Sequence, residues 1–346
     1  MPGSQNELRL PDLRIVGFRA FKELEIKRLG RVNLLTGKNN SGKSSVLEAL
    51  RLYASAGSKN VALELADARD ENAGADPSSE LAALNLFNGR ITVNDLGRSP
   101  RFEIGPVDGG ETVRLIAEAG RWDLSTKQFF AHGVPAVKFR FGGRATAVLT
   151  SNQRDAISDP DPAQYIGPSG DPVAMIGELW KRVSLTPLED TLVECLSLIS
   201  SDIERVSLLP SNSTSHPTPF VRVRGASRPI PLRSLGDGMI RLFGIALALV
   251  NAKDEFLLID EVENGIHYSV LPRLWNFIAQ NAERLNVQVF ATTHSWDCIT
   301  AFQQFTSGHG ADGTLIRLDW RSGAVRAVEF TEEELAVVTR QQIEVR

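Results

Sequence analysis

Cysteines and long apolar runs are both scarce in this sequence. The two cysteines, Cys195 and Cys298, match no metal-ligand spacing, and such usage is typical of a reduced, cytoplasmic protein. The most apolar run, residues 239–250, contains Arg241 and is too short to cross a bilayer. It therefore predicts a buried helix, and we expect no membrane span. Residues 1–12 are polar and lack the apolar core of a signal peptide.

A surplus of basic residues is also missing. Lys and Arg number 38 against 42 Asp and Glu, so the formal net charge is -4. No global positive field attracts nucleic acid, and any DNA contact would use a local patch. The composition that remains, 42% hydrophobic and 23% charged, is that of an ordinary globular protein of one large domain or two smaller ones.

A glycine-rich loop has the complete spacing G-x-x-x-x-G-K-[ST] of a phosphate-binding loop. It consists of Gly37, Lys38, Asn39, Asn40, Ser41, Gly42, Lys43 and Ser44, and Ser45 follows it. Residues 31–36 predict a buried strand before the loop, and residues 44–53 have helical spacing after it. Lys43 would reach the β- and γ-phosphates of ATP, and Ser44 would hold Mg²⁺. The alternative, a glycine-rich helix cap, explains neither the lysine nor the strand before the loop.

A second motif is an apolar strand that ends in two carboxylates. Residues 256–259 are Phe-Leu-Leu-Ile, and Asp260 and Glu261 follow directly. A buried parallel strand would deliver these groups beside the phosphates. Asp260 would hold Mg²⁺ through water, and Glu261 would be the general base that orients the attacking water. The alternative is a core strand that ends in an acidic turn.

Two weaker motifs complete the set. Ser234, Gly236 and Gly238 belong to a glycine-rich stretch that heads the apolar helix, where backbone N–H groups can bind phosphate or simply be capped. His294 follows a strand predicted over residues 287–293. Its imidazole would hydrogen-bond a γ-phosphate or the attacking water, although a lone histidine there can also be structural.

In this order, the four motifs resemble the ABC-type ATPases of the SMC, RecF and OLD (overcoming lysogenisation defect) group. The matching segments are residues 15–21, 37–44, 234–238, 260–267 and 292–295, of which 260–267 is most similar to the OLD-like branch. The resemblance implies an α/β fold, a P-loop NTPase of the ABC ATPase head type with an antiparallel β region and an inserted helical lobe. The head would span residues 1–346, with a nucleotide-binding core in 1–55 and 220–346 and the inserted β and helical region in 56–219.

The resemblance also implies an ATP-dependent homodimer in which two heads enclose two nucleotides. Lys43 would act in its own chain, Glu261 and His294 would be the hydrolysis carboxylate and the switch histidine, and residues 234–238 would reach across the dimer. One departure concerns the L-S-G-G-Q signature, because Gly236 stands at its serine position and Met239 at its glutamine position. Ser234, shifted by one residue, or backbone N–H groups would have to replace the missing hydroxyl.

Several polar residues allow two interpretations. Glu263 and His267 lie where the group places a dimer contact, or they belong to an ordinary polar loop. Gln153 is a candidate for the glutamine loop of ABC ATPases. Asp159 and Asp161 alternate with prolines, which favours a solvated loop over a metal site.

The role that the resemblance implies is an ATPase whose ATP-gated dimer acts on DNA or controls a separate nuclease or effector subunit, in DNA repair or anti-phage defence. The 52 residues after His294 predict a hairpin and a helix and leave no room for the Toprim nuclease domain of OLD proteins. Arg222, Arg224 and Arg228 could form a phosphate-binding patch with Arg233, or a solvated strand face. The alternatives are an ATP-dependent regulatory or scaffold module without DNA binding, and the nucleotide-binding subunit of a transporter.

Overall fold

Two large β-sheets organise the computed structural model of this chain. The structure describes residues 8–69, 81–89, 91–130, 132–150, 162–168, 173–210, 217–309, 313–321 and 323–340. One sheet is largely parallel and the other is antiparallel, and helices cover the parallel sheet. The expected combination of an α/β core, an antiparallel β region and additional helices is therefore present.

The parallel sheet has six strands. They are β3 (Val32–Thr36), β9 (Gln164–Ile166), β13 (Phe256–Ile259), β14 (Gln288–Thr292), β15 (Gly313–Arg321) and β16 (Ala324–Phe330). The strand order is β16-β15-β3-β14-β13-β9, and the β15–β16 hairpin is the antiparallel pair among them. Every residue of β3, β13 and β14 is buried, as expected for apolar strands covered on both faces. Their carboxyl ends meet at one edge of the sheet.

Eight helices lie among the described residues. They are α1 (Lys43–Ala54), α2 (Lys59–Asp67), α3 (Val173–Val183), α4 (Leu188–Leu196), α5 (Asp237–Asn251), α6 (Leu271–Arg284), α7 (Trp296–His309) and α8 (Glu332–Arg340). Alternate side chains of β13 point to opposite faces of the sheet, because the side-chain period of a strand is two. Leu257 and Ile259 join the core formed with α5 and α6, whereas Phe256 and Leu258 join the core formed with α1.

The antiparallel sheet has seven strands. They are β1 (Leu13–Phe18), β2 (Phe21–Ile26), β4 (Arg101–Gly105), β5 (Leu115–Asp123), β6 (Gln128–Phe129), β7 (Val134–Phe141) and β8 (Arg144–Thr150). Their order is β2-β1-β4-β5-β7-β8, with β6 paired to β5. Helix α1 packs between the two large sheets, since Leu47 belongs to the same core as Phe102 and Phe139.

A small third sheet precedes α5. It contains β10 (Ile203–Leu209), β11 (Thr218–Val223) and β12 (Ile230–Pro231), in that order. By composition residues 208–219 favour a loop, but β10 and β11 extend into both ends of that range. Proline and serine are frequent in this range, which favours a loop. The pairing of β10 with β11 depends on contacts between the two strands, and the amino-acid composition carries no information about such contacts.

The predicted boundaries between core and insertion, at residues 55 and 220, do not coincide with the boundaries of the two large sheets. Strand β4 pairs with β1 of the predicted core, and β9 pairs with β13 at the edge of the parallel sheet. Strand β9 lies in a segment whose composition favours a loop. A three-residue strand among Pro, Asp and Gly leaves no periodic signal, and its partner is about 90 residues further along the chain.

Helix α5 is the apolar helix predicted from the sequence, and its side chains are buried almost throughout. In the part of the chain that the structure describes, no helix has both the length and the apolar character needed to cross a membrane.

Candidate functional site

The phosphate loop connects β3 to α1, as predicted. Its first and last glycines have positive φ angles of 138° at Gly37 and 97° at Gly42. A Cβ atom at Gly37 would lie 2.3 Å from the Leu318 carbonyl oxygen, and one at Gly42 would lie 2.7 Å from the Phe21 ring. Glycine is therefore required at both positions by the backbone conformation and by the close packing.

Lys43 begins α1 and is held over the loop. Its Nζ donates hydrogen bonds to the carbonyl oxygens of Gly37 at 2.7 Å and Lys38 at 3.1 Å. Burial lowers the pKa of Lys43, and the carboxylates of Asp260 and Glu261 oppose that shift. A buried cation held by two weak carbonyl acceptors is well placed to bind a phosphate oxygen.

Asp260 and Glu261 stand at the carboxyl end of β13, beside the phosphate loop. The Asp260 side chain is buried and accepts a hydrogen bond from the Thr292 hydroxyl. Glu261 has a left-handed backbone with φ 52°, and its N–H donates to Thr292 Oγ1 at 2.8 Å. Its carboxylate accepts from Asn264 Nδ2 at 2.6 Å. Thr292 on the neighbouring strand thus fixes both acidic residues.

His294 lies next to Glu261, as its position after β14 predicted. The distance from His294 Nε2 to Glu261 Oε1 is 3.6 Å, and both side chains are partly exposed. The two groups therefore face the same space from neighbouring strand ends. A water molecule beside the pair could hydrogen-bond both groups, and the imidazole could donate to a phosphate oxygen.

Glu263 takes a position that the sequence left open. Its Oε1 accepts hydrogen bonds from the backbone N–H groups of His294 at 2.9 Å and Ser295 at 3.1 Å. This carboxylate therefore caps the start of α7 in its own chain, where an anion is favourable. His267 instead stacks on exposed Tyr268, with ring centroids 4.3 Å apart. A partner contact at His267 stays a prediction.

An open cavity of about 890 Å³ joins these groups. Its lining residues are Arg19, Ala20, Asn39, Asn40, Ser41, Gly42, Lys43, Ser44, Ser45, Arg69, Asn85, Phe87, Gly89, Glu261 and His294. This volume lies within the usual range of ligand pockets. The cavity brings together the phosphate loop, Glu261 and His294, which lie far apart in the sequence.

Arg19 and Arg69 line the cavity but were not singled out from the sequence. Glu48 of α1 accepts a hydrogen bond from Arg19 Nε at 3.0 Å and from Arg69 Nε at 2.8 Å. Arg69 also donates to Ser45 Oγ at 3.2 Å. Glu48 lies one turn after Ser44 on α1. This spacing from the phosphate loop is the sequence feature that could have pointed to a charged cluster here. A lone arginine outside a motif carries no spacing pattern that would connect it to the loop.

The residues present fit a bound Mg²⁺. Ser44 is exposed at the cavity wall, and Asp260 is a buried carboxylate at the end of β13, directly before the lining residue Glu261. Mg²⁺ beside a nucleotide takes one or two protein oxygens and fills its other positions with phosphate oxygens and water. A preformed cluster of ligands is therefore not expected, and no group of three or more His, Cys, Asp or Glu occurs among the described residues.

The loop around Gly236 is separate from this cavity. Residues 233–237 are exposed, and none of them is among the described residues that line the cavity. Gly236 precedes α5 with φ 107° and has open space around it. Gly238 is packed instead, because a Cβ atom there would lie 2.6 Å from the Gly265 carbonyl oxygen. Within one chain, the structure does not bring Ser234 and Gly236 to the phosphate loop.

Three candidate residues lie outside the described part of the chain. They are Gln153, Asp159 and Asp161. The described segment after β9 does reach the site, since Asn264 Nδ2 donates to the Pro168 carbonyl oxygen at 3.1 Å.

A phosphate loop, an acidic strand end and a histidine strand end on this fold define a P-loop ATPase of the ABC type, in the SMC/RecF-like group. A family model described as AAA_21, "AAA domain, putative AbiEii toxin, Type IV TA system", matches residues 32–297, so the chain belongs to this family. A Helicobacter pylori (strain ATCC 700392 / 26695) protein named "ATP/GTP phosphatase" is 25% identical over 338 residues, which cover 85% of this chain and 88% of that protein.

A shorter similarity is to the "DNA replication and repair protein RecF" of Clostridioides difficile (strain 630), 42% identical over 43 residues and 12% of each chain. Two solved structures show the same fold. A SmcHead bound to the C-winged helix domain of ScpA has a TM-score of 0.53 at 12% identity and covers 95% of this chain and 99% of its own. A Pyrococcus furiosus Smc head domain bound to the C-terminal domain of ScpA has a TM-score of 0.54 at 13% identity, covering 97% and 99%.

Proposed function

We propose that this protein hydrolyses ATP with Mg²⁺ in a homodimer whose two sites are each completed by the partner chain. The observation that carries this proposal is the cavity in which Lys43 and Ser44 face Glu261 and His294. The exposed loop at Ser234 to Gly238 supplies the trans half, since a glycine-rich helix start that is open to solvent can bind the phosphates of a second copy's nucleotide.

Each residue at the site has a distinct part in this reaction. The N–H groups of the phosphate loop and Lys43 bind the triphosphate, and Ser44 and Asp260 hold the Mg²⁺ that neutralises its charge. Glu261 orients the attacking water and receives its proton, while His294 hydrogen-bonds the γ-phosphate or that water. Thr292 and Glu263 keep Glu261 and His294 in place through the hydrogen bonds described above.

The relatives support the chemistry more strongly than the biological role. The Helicobacter pylori relative is named a phosphatase of ATP and GTP. The RecF relative is named for DNA replication and repair, and the SMC heads are bound to ScpA. We therefore propose that the ATP-gated dimer acts on DNA or controls a partner nuclease, in DNA repair or anti-phage defence.

A second candidate is an ATP-dependent regulatory or scaffold module without DNA binding. Its support is the charge around the basic patch. Arg222 and Arg224 are largely exposed, but both pair with Glu204, at 3.6 Å and 3.3 Å. Together with the net charge of -4, this pairing weakens the positive potential that non-specific DNA binding needs.

The two candidates separate in a turnover assay with added DNA. ATP hydrolysis by wild type and by Arg222→Ala/Arg224→Ala is measured with and without duplex or single-stranded DNA at 50 and 200 mM salt. A DNA-acting dimer gives a change in rate that weakens at the higher salt and is reduced in the variant. Unaltered turnover and no DNA binding at either salt concentration would exclude a direct action of the dimer on DNA and favour a role without DNA binding.

A further inference from the structure

We propose that Arg241 is a positioning residue, which couples the exposed loop at Gly236 to the catalytic carboxylate Glu261. Arg241 lies on α5, less than two turns after this loop, and is not itself among the residues that line the cavity. The inference rests on the proposed ATP hydrolysis in a dimer. It adds a connection within one chain, through which contact between the Gly236 loop and a second copy's nucleotide affects Glu261 in the first chain's own site.

The Arg241 side chain is almost fully buried and donates to three backbone carbonyl groups. Its Nη1 donates to Gly167 O at 2.6 Å, and its Nη2 donates to Asp260 O at 2.6 Å and Glu261 O at 2.8 Å. These carbonyls belong to the two chain segments that leave β9 and β13. One guanidinium group therefore joins both segments at the edge of the sheet that carries the site.

An arginine suits this position for a physical reason. Its planar group presents several N–H donors in fixed directions, whereas lysine is a single point charge on a flexible stem. Burial lowers the pKa of Arg241, and the nearby carboxylates of Glu263, Asp260 and Glu261 oppose this shift. The cation is thus retained inside the protein by the same acidic residues that form the site.

Glu261 depends on such support because its backbone is in the left-handed region, with φ 52°. Non-glycine residues remain in this region when surrounding contacts hold them. Arg241 binds the Glu261 carbonyl oxygen, and Thr292 binds its N–H. The direction of the Glu261 carboxylate therefore depends on where Arg241, and with it α5, lies.

The other end of the connection is the start of α5. Gly238 lies one turn before Arg241 and is packed against the Gly265 carbonyl oxygen, in the segment that follows Glu261. A helix moves as a rigid unit over one turn. When a second copy's nucleotide engages Ser234 to Gly238, the displacement is carried to Glu261 through Arg241.

The test compares Arg241→Lys with Arg31→Lys as the matched control. Arg31 is also buried and donates to a backbone carbonyl, at Val287, but lies at the opposite edge of the parallel sheet. We expect Arg241→Lys to leave the Kd for ATP unchanged and to reduce kcat tenfold or more, with Arg31→Lys active as wild type. Wild-type kcat in Arg241→Lys, or equal losses in the two variants, would overturn the proposal.

A second measurement separates positioning from general destabilisation. In the Glu261→Gln background, Arg241→Lys should cause no additional loss of turnover, because it acts through Glu261. Independent, additive losses would contradict the coupling. If Arg241→Lys is too unstable to assay, Arg241→Gln is used instead. The same reduction of kcat is expected, again without additional loss in the Glu261→Gln background. Absence of ATP turnover in wild type, or of ATP-dependent dimers in Glu261→Gln, would instead refute the proposed function itself, which keeps the two failures distinct.

Discussion

Two glycine-rich loops begin helices in this chain, and they differ in how complete their surroundings are. The phosphate loop precedes α1 and shares a cavity with other groups of its own chain, with Lys43 buried and Glu261 and His294 also lining that cavity. The loop at Gly236 precedes α5 and is exposed from residue 233 to 237. Both loops present helix N-terminal N–H groups, which favour anions. The proposed composite site accounts for this difference, since it assigns cis binding of the nucleotide to the first loop and contact with a second chain's nucleotide to the other.

This comparison predicts two classes of variant. Changes at the phosphate loop should abolish binding of the nucleotide, while changes at the exposed loop should leave binding intact and reduce turnover. Glu261 is connected to both loops. It lies in the cavity with the phosphate loop, and Arg241, on the helix that follows the exposed loop, binds its carbonyl oxygen.

The largest effect is expected for Lys43→Ala. Removal of the buried cation leaves the triphosphate without its main counter-charge in the loop, so nucleotide binding should fall below detection in a titration with a fluorescent ATP analogue. Lys38→Ala is the control, because the Lys38 side chain is exposed and its backbone is what forms the loop. Tight binding of the ATP analogue by Lys43→Ala would show that Lys43 and its loop do not bind the triphosphate.

Glu261→Gln should bind ATP as wild type does and hydrolyse it about 10²- to 10⁴-fold more slowly, the range typical for loss of a general base. Steady-state phosphate release and equilibrium binding measure the two quantities. Glu255→Gln at the opposite end of β13, where Glu255 pairs with Arg9, should have wild-type turnover. Equal turnover in Glu261→Gln and wild type would show that another residue activates the water.

Gly236→Ala tests whether the exposed loop takes part in ATP hydrolysis. A methyl group has space at this position, but alanine is strained at φ 107°, and the loop would lose the geometry of a phosphate contact. Loss of one hydrogen bond to a charged group, about 1.5–3 kcal/mol, should lower kcat on the order of tenfold to a hundredfold without changing the Kd.

The control for this change is Gly225→Ala, another glycine with positive φ, 79°, and open space around it. Both substitutions place alanine at a positive φ in an exposed turn, so the free energy of unfolding of each variant is measured beside its turnover. A similar loss of turnover in the two variants would mean that the Gly236 loop has no special part in the reaction.

The smallest effect is expected for Glu263→Gln. The amide can still accept the N–H groups of His294 and Ser295, but it no longer places a negative charge at the start of α7. The free energy of unfolding should decrease by about 0.3–1 kcal/mol, as for other charges at helix N-termini. Thermal unfolding measures this change, and a Tm equal to that of wild type would exclude an electrostatic role for the cap.

The parts of the site that could be predicted were those with a pattern inside a short segment. The phosphate loop has fixed spacing, and Phe256–Ile259 is an apolar run that ends in acidic residues. The structure brings the phosphate loop, Glu261 and His294 to one cavity. The shared sheet edge follows from the parallel pairing of their strands.

The remaining parts depend on contacts between distant residues. Strand β9 exists because three residues in a proline-rich segment pair with β13. Glu48 gathers Arg19 and Arg69 from two separate segments. The inward position of Glu263 depends on where α7 begins relative to β13. None of these contacts leaves a periodic or spacing signal in a single sequence, so tertiary packing alone determines them.

The composite site is tested most directly by the molar mass of Glu261→Gln in solution, measured by light scattering at saturating ATP and Mg²⁺. A site completed by a second chain predicts twice the mass of one chain with ATP, the mass of one chain with ADP, and no dimer with ATP when Gly236→Ala is added. If every chain holds ATP and the mass remains that of one chain, the exposed loop does not complete a partner's site.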